Sequence, residues 1–384
     1  MKNVENPSKS LIKICILIVL LFNYCINGQS QCLFKFGDRT LNISKYGKIA
    51  IFQEILNKKR INIDLAPLKI EGVWDRRWQK NYVEYLDKVK KFGITDAEMD
   101  AFKSQCITEA IWDQWTGEPN LTVQERAYLI SYSLEGHDYD RVLWDKKPSK
   151  NSFWLMWGPF QATFGGVNKL GGILNLVEPS VLKECFGQEF QSIQNMINDD
   201  DMAKRYHIYQ AVRNSSTRKN AWTAGLQCIG TTFEGQNAFL NYAIESKFWI
   251  GNGIRKLYNL IPDAKSHGTE IDYAFLMDIA IQLVIDDRKV TLAKKAIQPL
   301  FASNPHPPRW MIRKAIGDAM VISISKSKSD RLGRNVIYYR EAAGNKLSAQ
   351  ELKAWQTRSP FYAEDFGLSD EKTFYPYGST KDTN

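Results

Sequence analysis

The run from Thr122 to Gly136 carries the start and stop signals of a single amphipathic helix. Thr122 and Glu125 have the spacing of a capping box, in which each side chain accepts a hydrogen bond from the other residue's backbone N–H. Apolar residues then recur at helical spacing and form one stripe that must be buried: Val123, Ala127, Ile130 and Leu134. Glycine commonly follows the last turn of a helix, so Gly136 predicts that this helix ends at Glu135.

The same signals recur along the chain, so we predict a mainly α fold. Aromatic and apolar residues at helical spacing begin at Trp74. Thr95 and Glu98 form a second capping box, which predicts a helix running towards Ile111. Helices are predicted to resume after Gly166, with three clear segments at 221–240, 272–285 and 310–324.

Two segments depart from the helical pattern. Residues 137–157 mix turn-forming residues with aromatics and predict a loop or a small hairpin beside the end of the first helix. Cys32–Phe36 alternates enough to predict a short strand. We therefore divide the chain into residues 1–30, an N-terminal extension over 31–71, and a mainly helical domain over 72–384.

Residues 1–30 have the composition of a secretory signal peptide, which predicts a secreted, extracellular protein. The apolar core, Ile14–Phe22, follows three lysines and is too short to span a bilayer. The remaining cysteines can form two disulfides in three pairings, and sequence does not choose between them: Cys32, Cys106, Cys185 and Cys228. Three sequons are compatible with glycosylation, and they begin at Asn42, Asn120 and Asn214.

The chain is basic, with a formal net charge of +9. Loss of residues 1–30 removes three lysines and one glutamate, so the mature charge is +7. Such a charge favours anionic polymers such as bacterial walls, and the alternative is that it serves solubility alone. We see no nucleic-acid motif and predict neither a nucleic-acid partner nor a membrane partner after signal removal. The run Arg331-Leu-Gly-Arg334 is interpreted as a solvated or ion-paired surface, with contact to an anionic polymer as the alternative.

Glu135 is a candidate general acid because of its place at a helix end. The unpaired carbonyl groups there carry partial negative charge, which disfavours a further anion and favours a protonated carboxyl group. An acid of this kind must carry a proton to give to a leaving group. The turn sequence Trp157-Gly-Pro-Phe-Gln-Ala-Thr163 follows about two dozen residues later.

This pair of motifs resembles the lysozyme-like superfamily, and most closely the goose-type lysozymes and lytic transglycosylases. The resemblance implies a helical domain with a small β or irregular element beside an active-site cleft. It also implies that Glu135 is the catalytic acid, Gly158 the turn glycine and Gln161 the glutamine of the cleft wall. The chain departs from the pattern in having Gly136 where serine is usual, and in a longer loop.

A second carboxylate is usual in glycosidases, and three aspartates follow Glu135 closely: Asp138, Asp140 and Asp145. We favour Asp145, ten residues after Glu135, whose spacing resembles that of the phage-type lysozymes. In a lytic transglycosylase a single glutamate suffices, because the sugar's own 6-hydroxyl completes the reaction. Four further residues are predicted to bind substrate or to support the cleft: Tyr132, Trp157, Gln161 and Thr163.

The sequence therefore predicts a secreted glycoside hydrolase that cleaves β-1,4 aminosugar bonds, with peptidoglycan as the first expected polysaccharide. A chitinase- or chitosanase-like enzyme and a non-catalytic glycan-binding protein remain the alternatives. No cofactor is predicted. The four histidines lack the spacing of a zinc hydrolase motif, so no metal site is predicted: His137, His207, His267 and His306.

Overall fold

A computed structural model describes residues 32–35, 49, 52–53, 55–60, 63, 65, 74–90, 95, 98, 106–117, 122–135, 139, 141–145, 153–165, 168–199, 201–247, 249–340, 346–358 and 361–377. These residues form a mainly helical fold with a small three-stranded antiparallel sheet, which confirms the predicted fold class. The predicted signal peptide, Gly136 and the sequons at Asn42 and Asn120 lie outside the described residues. Asn214 is exposed at the end of a helix.

The described residues fall into two compact units, each made of two chain segments. The first takes residues up to 38 together with Trp74–Trp115, and the second takes 39–73 together with 116 onwards. This division differs from the boundary at residue 72 that the sequence suggested. Within the described residues, no helix is long and apolar enough to cross a bilayer.

The first unit combines a two-stranded sheet with a helix rich in aromatic residues. Its elements are β1 (Cys32–Lys35), α1 (Arg76–Val89), β2 (Cys106–Thr108) and most of α2 (Glu109–Gly117). The Asp75 side chain caps α1 by accepting from Trp78 N–H. Trp78 and Tyr82 are buried, as the helical spacing predicts, and Tyr82 packs edge-on against Trp115.

The helix predicted from Thr95 to Ile111 is wrong over Cys106–Thr108, which form a strand. Its capping box is present, since Thr95 and Glu98 exchange side chain–backbone hydrogen bonds of 3.0 and 3.2 Å. β2 instead pairs antiparallel with β1, so that Lys35 lies opposite Cys106. Cross-strand pairing and burial of all three β2 residues override the local helical signal.

The second unit contains the candidate site. Its strands are β3 (Val142–Trp144), β4 (Phe153–Trp157) and β5 (Ala162–Gly165). Its helices are α3 (Val123–Glu135), α4 (Lys169–Leu174), α5 (Pro179–Phe186), α6 (Phe190–Asn198), α7 (Met202–Arg213), α8 (Ser216–Thr231), α9 (Phe233–Glu245), α10 (Ile250–Tyr258), α11 (Ala264–His267), α12 (Glu270–Gln282), α13 (Asp287–Ser303), α14 (Arg309–Ser323), α15 (Lys328–Val336) and α16 (Ala349–Arg358).

Helix α12 is the centre of this unit. Every residue from Glu270 to Ala280 is buried, so the helix has no solvent-facing side. Helices α3 and α10 pack against it. A capping box of Thr269 and Asp272 begins the helix. Two carboxylates, Asp272 and Asp278, are thereby carried into the core, and each requires buried positive partners.

The predicted segment 221–240 is two helices, because Thr232 interrupts it in an extended conformation. The Thr232 hydroxyl accepts a hydrogen bond from Gly235 N–H at 3.0 Å and begins α9. Threonine offers the backbone this alternative to a continuous helix. A disulfide between Cys185 and Cys228 joins α5 to α8, and Cys106 is disulfide-bonded as well.

Candidate functional site

A cavity of about 390 Å³ lies where α3 ends, and Glu135 is part of its wall. The other walls are the β4–β5 hairpin, the start of α4, the start of α10, and residues 280–285 at the end of α12 and just after it. The volume lies within the range of small-molecule and substrate sites. Gln161 and Thr163 also line it, so three of the six residues that the sequence predicted share one cavity.

Helix α3 ends at Glu135, as predicted, and its first turn is fixed by the predicted capping box. Thr122 N–H donates to the Glu125 carboxylate at 2.8 Å, and Glu125 N–H donates to the Thr122 hydroxyl at 3.2 Å. Helix α3 packs on α12, and three of the four stripe residues are buried: Ala127, Ile130 and Leu134. The helix therefore delivers the Glu135 carboxylate to the cavity through packing that the sequence specifies locally.

An arginine from a distant helix binds Glu135. Arg334 Nη2 donates to Glu135 Oε1 at 2.7 Å and to the Leu134 carbonyl at 3.1 Å. The Glu135 side chain is 19% exposed, whereas that of Arg334 is 2% exposed. Glu135 Oε2 has no hydrogen-bond partner among the described residues. One carboxylate oxygen of this cavity residue is thus fixed by a buried cation.

Arg334 also belongs to a buried ion-pair network, which we call the Asp278 cluster (Asp278, Arg331, Arg334 and Glu135). Asp278 accepts from Arg334 Nη1 at 2.9 Å and from Arg331 Nη2 at 2.7 Å. Burial alone would raise the pKa of Asp278, but the two guanidinium groups outweigh it and hold that pKa below its usual value. The sequence interpreted Arg331 and Arg334 as a solvated or ion-paired surface. The ion pairing is confirmed, but the surface position is wrong, because both side chains are buried.

The turn between β4 and β5 has an unusual backbone. Gly158 has a φ of 78°, and a Cβ at this position would lie 2.6 Å from the Phe239 ring. Gln161 has a φ of 53°, a left-handed conformation that residues other than glycine seldom adopt. Gly158 O accepts from Gln161 N–H at 3.1 Å and closes the turn. This backbone places Gln161 in the cavity wall, and such conformations cluster at functional sites.

Tyr132 and Trp157 lie beneath the site and do not line the cavity. Trp157 has no exposed surface, and its Nε1–H donates to the Tyr139 carbonyl at 2.6 Å. Tyr132 is 6% exposed and stacks on Tyr128 and Tyr139. Neither ring offers a face to a substrate, so both support the site through packing.

Asp145 is held away from the cavity. In the hairpin, Leu143 lies opposite Met156, which lines the cavity, and Asp145 follows two residues later along the chain. That places it about 7 Å further along the strand direction. Its N–H donates to the Trp154 carbonyl at 3.0 Å. Among the described residues that line the cavity, Glu135 is the only carboxylate.

Several residues that line the cavity were not predicted from the sequence. Trp249 and Asn252 come from the start of α10, and Lys169 comes from the start of α4. The ammonium group of Lys169 lies 5.1 Å from the Trp249 ring centre, and burial lowers the pKa of Lys169. Phe160 completes the aromatic lining. The Gly-Pro-Phe-Gln run marked Phe160, but no local pattern marks the others.

Comparisons with protein-family profiles, with curated proteins and with solved structures found no match to this chain.

Proposed function

We propose that this protein is a glycoside hydrolase that cleaves β-1,4 aminosugar bonds in the Glu135 cavity. The observation that carries the proposal is the convergence of Glu135, Gln161 and Thr163 on one cavity. The motif resemblance assigned Glu135 and Gln161 to one cleft, and Thr163 was separately predicted to bind substrate there. Phe160 and Trp249 add aromatic surface to the same cavity. Aromatic surface with a few polar groups is typical of sites for flat, partly apolar rings such as sugars.

The arrangement favours chemistry with one carboxyl group. Glu135, protonated on Oε2, would give its proton to the glycosidic oxygen as the bond to the anomeric carbon breaks. The resulting carboxylate would then take the proton of the attacking hydroxyl, either the sugar's 6-hydroxyl or water. Attack by the 6-hydroxyl yields an anhydro sugar, and attack by water yields a reducing end. Because Asp145 does not line the cavity, we prefer the route through the 6-hydroxyl.

Arg334 has two effects in this scheme. Its guanidinium group would stabilise the carboxylate that remains after proton transfer, and its hydrogen bond to Oε1 constrains the direction in which Oε2 points. Arg334 therefore acts as a positioning residue for Glu135.

The charges favour an anionic polymer as the substrate. Lys169 supplies a cation in the cavity wall, and the mature chain carries +7 overall. Peptidoglycan carries carboxylates on its peptide stems, so it complements the Lys169 ammonium and the positive net charge better than the cationic polymer chitosan does. Chitin, which is neutral, is the second substrate to test. A secreted location, which this substrate requires, rests on the predicted signal peptide.

A non-catalytic glycan-binding protein is the second candidate. The observation that favours it is the Arg334–Glu135 ion pair, combined with the single carboxylate among the described cavity residues. A binding protein needs the shape and the aromatic lining of the cavity but does not need a proton on Glu135.

The test compares the mature protein with two variants, Glu135→Gln and Asp145→Asn. Each is incubated with purified peptidoglycan, and separately with chitin, and the soluble products are identified by mass spectrometry. We expect anhydro-ended muropeptides from the wild type, and a loss of roughly a hundred- to ten-thousand-fold in Glu135→Gln. Asp145→Asn is expected to retain activity, since Asp145 does not line the cavity.

Other outcomes separate the alternatives. If Asp145→Asn lost as much activity as Glu135→Gln, and the wild type produced reducing ends, Asp145 would again be the candidate second catalytic carboxylate. No product from the wild type, but retention of the protein on the insoluble polymer, would favour the binding protein. If the wild type released no product and was not retained on either polymer, the proposed function would be overturned.

A further inference from the structure

Three side chains that can bind metal ions converge outside the Glu135 cavity, among the residues that the structure describes. We call Asp263, His267 and His306 the His–Asp cluster, and each offers a ligand atom within 4.8 Å of the other two. Asp263 precedes α11, His267 ends α11 and His306 lies in the loop before α14. The two imidazole rings are 4.2 Å apart between centres. No residue of the cluster lines the Glu135 cavity.

The side-chain separations suit a small divalent ion. In a tetrahedral zinc site with bonds of about 2.0 Å, ligand atoms lie roughly 3.3 Å apart. His306 Nδ1 and Asp263 Oδ2 are 3.3 Å apart. His267 Nδ1 is 4.0 Å from the same oxygen, and its ring is about half exposed. A rotation of the exposed His267 ring is sufficient to complete a three-ligand site.

Hydrogen bonds leave one nitrogen of His267 available. The Ser266 hydroxyl donates its hydrogen to the Asp263 carbonyl at 3.3 Å. It also lies 2.8 Å from His267 Nδ1, and the tautomer of the imidazole decides which atom donates at that contact. In the tautomer with the hydrogen on Nδ1, the lone pair of His267 Nε2 is available to a metal ion after rotation of the ring. Ligating histidines commonly donate their second N–H to a fixed acceptor in this way.

The loop that carries His306 is stiff. His306 follows Pro305 and precedes Pro307 and Pro308, whose rings fix the backbone φ angle. His306 N–H also donates to the Asn304 side chain at 2.9 Å. The backbone that carries the imidazole is therefore restricted before any ligand arrives, which lowers the entropic cost of binding.

The surrounding charges favour a cation although an arginine is close. Arg309 donates from Nη1 to Asp263 Oδ1 at 2.9 Å, which leaves Oδ2 facing the histidines. Arg309 also donates to Asp272 at 2.7 Å, so its charge is shared with a second carboxylate. Arg313 donates to Asp370, and these two residues join Asp263, Asp272 and Arg309 in a group of five charged side chains. With all five groups ionised, three carboxylates face two guanidinium groups, and one negative charge remains for a metal ion.

We propose that the His–Asp cluster binds a divalent transition-metal ion, with zinc as the first choice. Two imidazoles and one carboxylate are a common ligand set for zinc, and such sites keep a further position for water. The ion would join the segment around α11 to the loop before α14. Both histidines are at the surface, so the ion can enter from solvent. The proposal is independent of the chemistry at Glu135.

The test is calorimetric titration of Zn²⁺ into untagged, chelator-treated mature protein. Wild type is expected to bind one ion, and His267→Ala and His306→Ala are expected to lose at least about ten-fold in affinity. His207→Ala is the matched control, because His207 is exposed on α7 and lies outside the cluster, and it should bind as the wild type does. Zinc should also raise the melting temperature of the wild type and of His207→Ala.

Two results would overturn the proposal. One is the absence of a one-to-one site in the wild type at millimolar zinc. The other is unchanged affinity in the His267→Ala/His306→Ala double variant. Because both histidines are exposed, the variants should fold, and far-ultraviolet circular dichroism checks this. Activity is not the readout, so failure of the glycosidase assay leaves this test intact.

Discussion

Helix α12 anchors two ion-pair networks that are built alike. Asp278, in the Asp278 cluster, is bound by Arg331 and Arg334 from α15. Asp272 is bound by Arg309 and Arg313 from α14. We call the second network the Asp272 cluster (Asp272, Arg309, Arg313 and Asp370). In both, a fully buried carboxylate on the central helix faces two guanidinium groups from one later helix.

The networks differ in the number of carboxylates that pair with each arginine. In the Asp272 cluster each arginine has a second carboxylate: Asp263 for Arg309 and Asp370 for Arg313. In the Asp278 cluster, Arg334 also pairs with Glu135 and Asp330. Among the described residues, Asp278 is the only carboxylate that pairs with Arg331, whose other partners are the neutral side chains of Gln282 and Asn335. The outer carboxylates, Asp263 and Glu135, belong to the two candidate sites. Each core network thus orients one carboxylate of a candidate site.

The largest expected effect is the loss of stability in Asp278→Asn. Arg331 would be left buried without any carboxylate, and an uncompensated buried charge costs about 3–5 kcal/mol of unfolding free energy. Asp272→Asn should cost about 1–3 kcal/mol, because its arginines keep Asp263 and Asp370. Urea unfolding followed by circular dichroism measures both.

The matched control is Asp286→Asn, since Asp286 is an exposed helix cap that asparagine can replace. We expect it to unfold close to the wild type. If Asp272→Asn were as unstable as Asp278→Asn, Asp263 and Asp370 would not compensate the charges of their arginines. The proposed difference between the two networks would then be wrong.

An intermediate effect is expected at acid pH. The pKa values of Asp278 and Asp370 lie below the usual value, because their arginines outweigh the effect of burial. A depressed folded pKa gives stability that is present above the unfolded pKa, near 3.9, and is lost as the pH falls through the folded value. The difference in unfolding free energy between wild type and Asp278→Asn should therefore narrow progressively below about pH 4.

Urea unfolding of both proteins from pH 7 down to pH 3 checks this expectation. A difference that stays constant over that range would mean that Asp278 does not lose its charge-dependent contribution there. The contribution of Asp278 to the unfolding free energy could then not be attributed to its ion pairs with Arg331 and Arg334.

Local signals account for what the sequence predicted correctly. The capping box at Thr122 and the stripe of α3 require only neighbouring residues, and they placed Glu135 at the helix end. The Gly-Pro-Phe-Gln run similarly encodes a turn whose positive φ angles are a local property of the chain. Glu135, Gln161 and Thr163 line one cavity, and their roles there stay predictions.

Features that depend on distant residues were not predictable. The Glu135 and Arg334 partners are 199 residues apart, and nothing in Arg331-Leu-Gly-Arg334 shows that its helix faces a buried aspartate. The strand at Cys106–Thr108 forms only because β1 pairs with it. His267 and His306 are unremarkable by spacing and meet only through the fold. Buried polar residues are the hardest to predict, because their partners lie on other elements.

The smallest expected effect is the change in stability caused by Glu135→Gln. Arg334 would keep Asp278 and the Leu134 carbonyl, and the glutamine oxygen could still accept its hydrogen bond. We expect a loss of about 1 kcal/mol or less, since the Glu135 carboxylate is partly exposed. Urea unfolding of Glu135→Gln beside Asp278→Asn measures it. A loss as large as that of Asp278→Asn would make Glu135 a structural member of the network, and a drop in activity in Glu135→Gln could then no longer be attributed to chemistry.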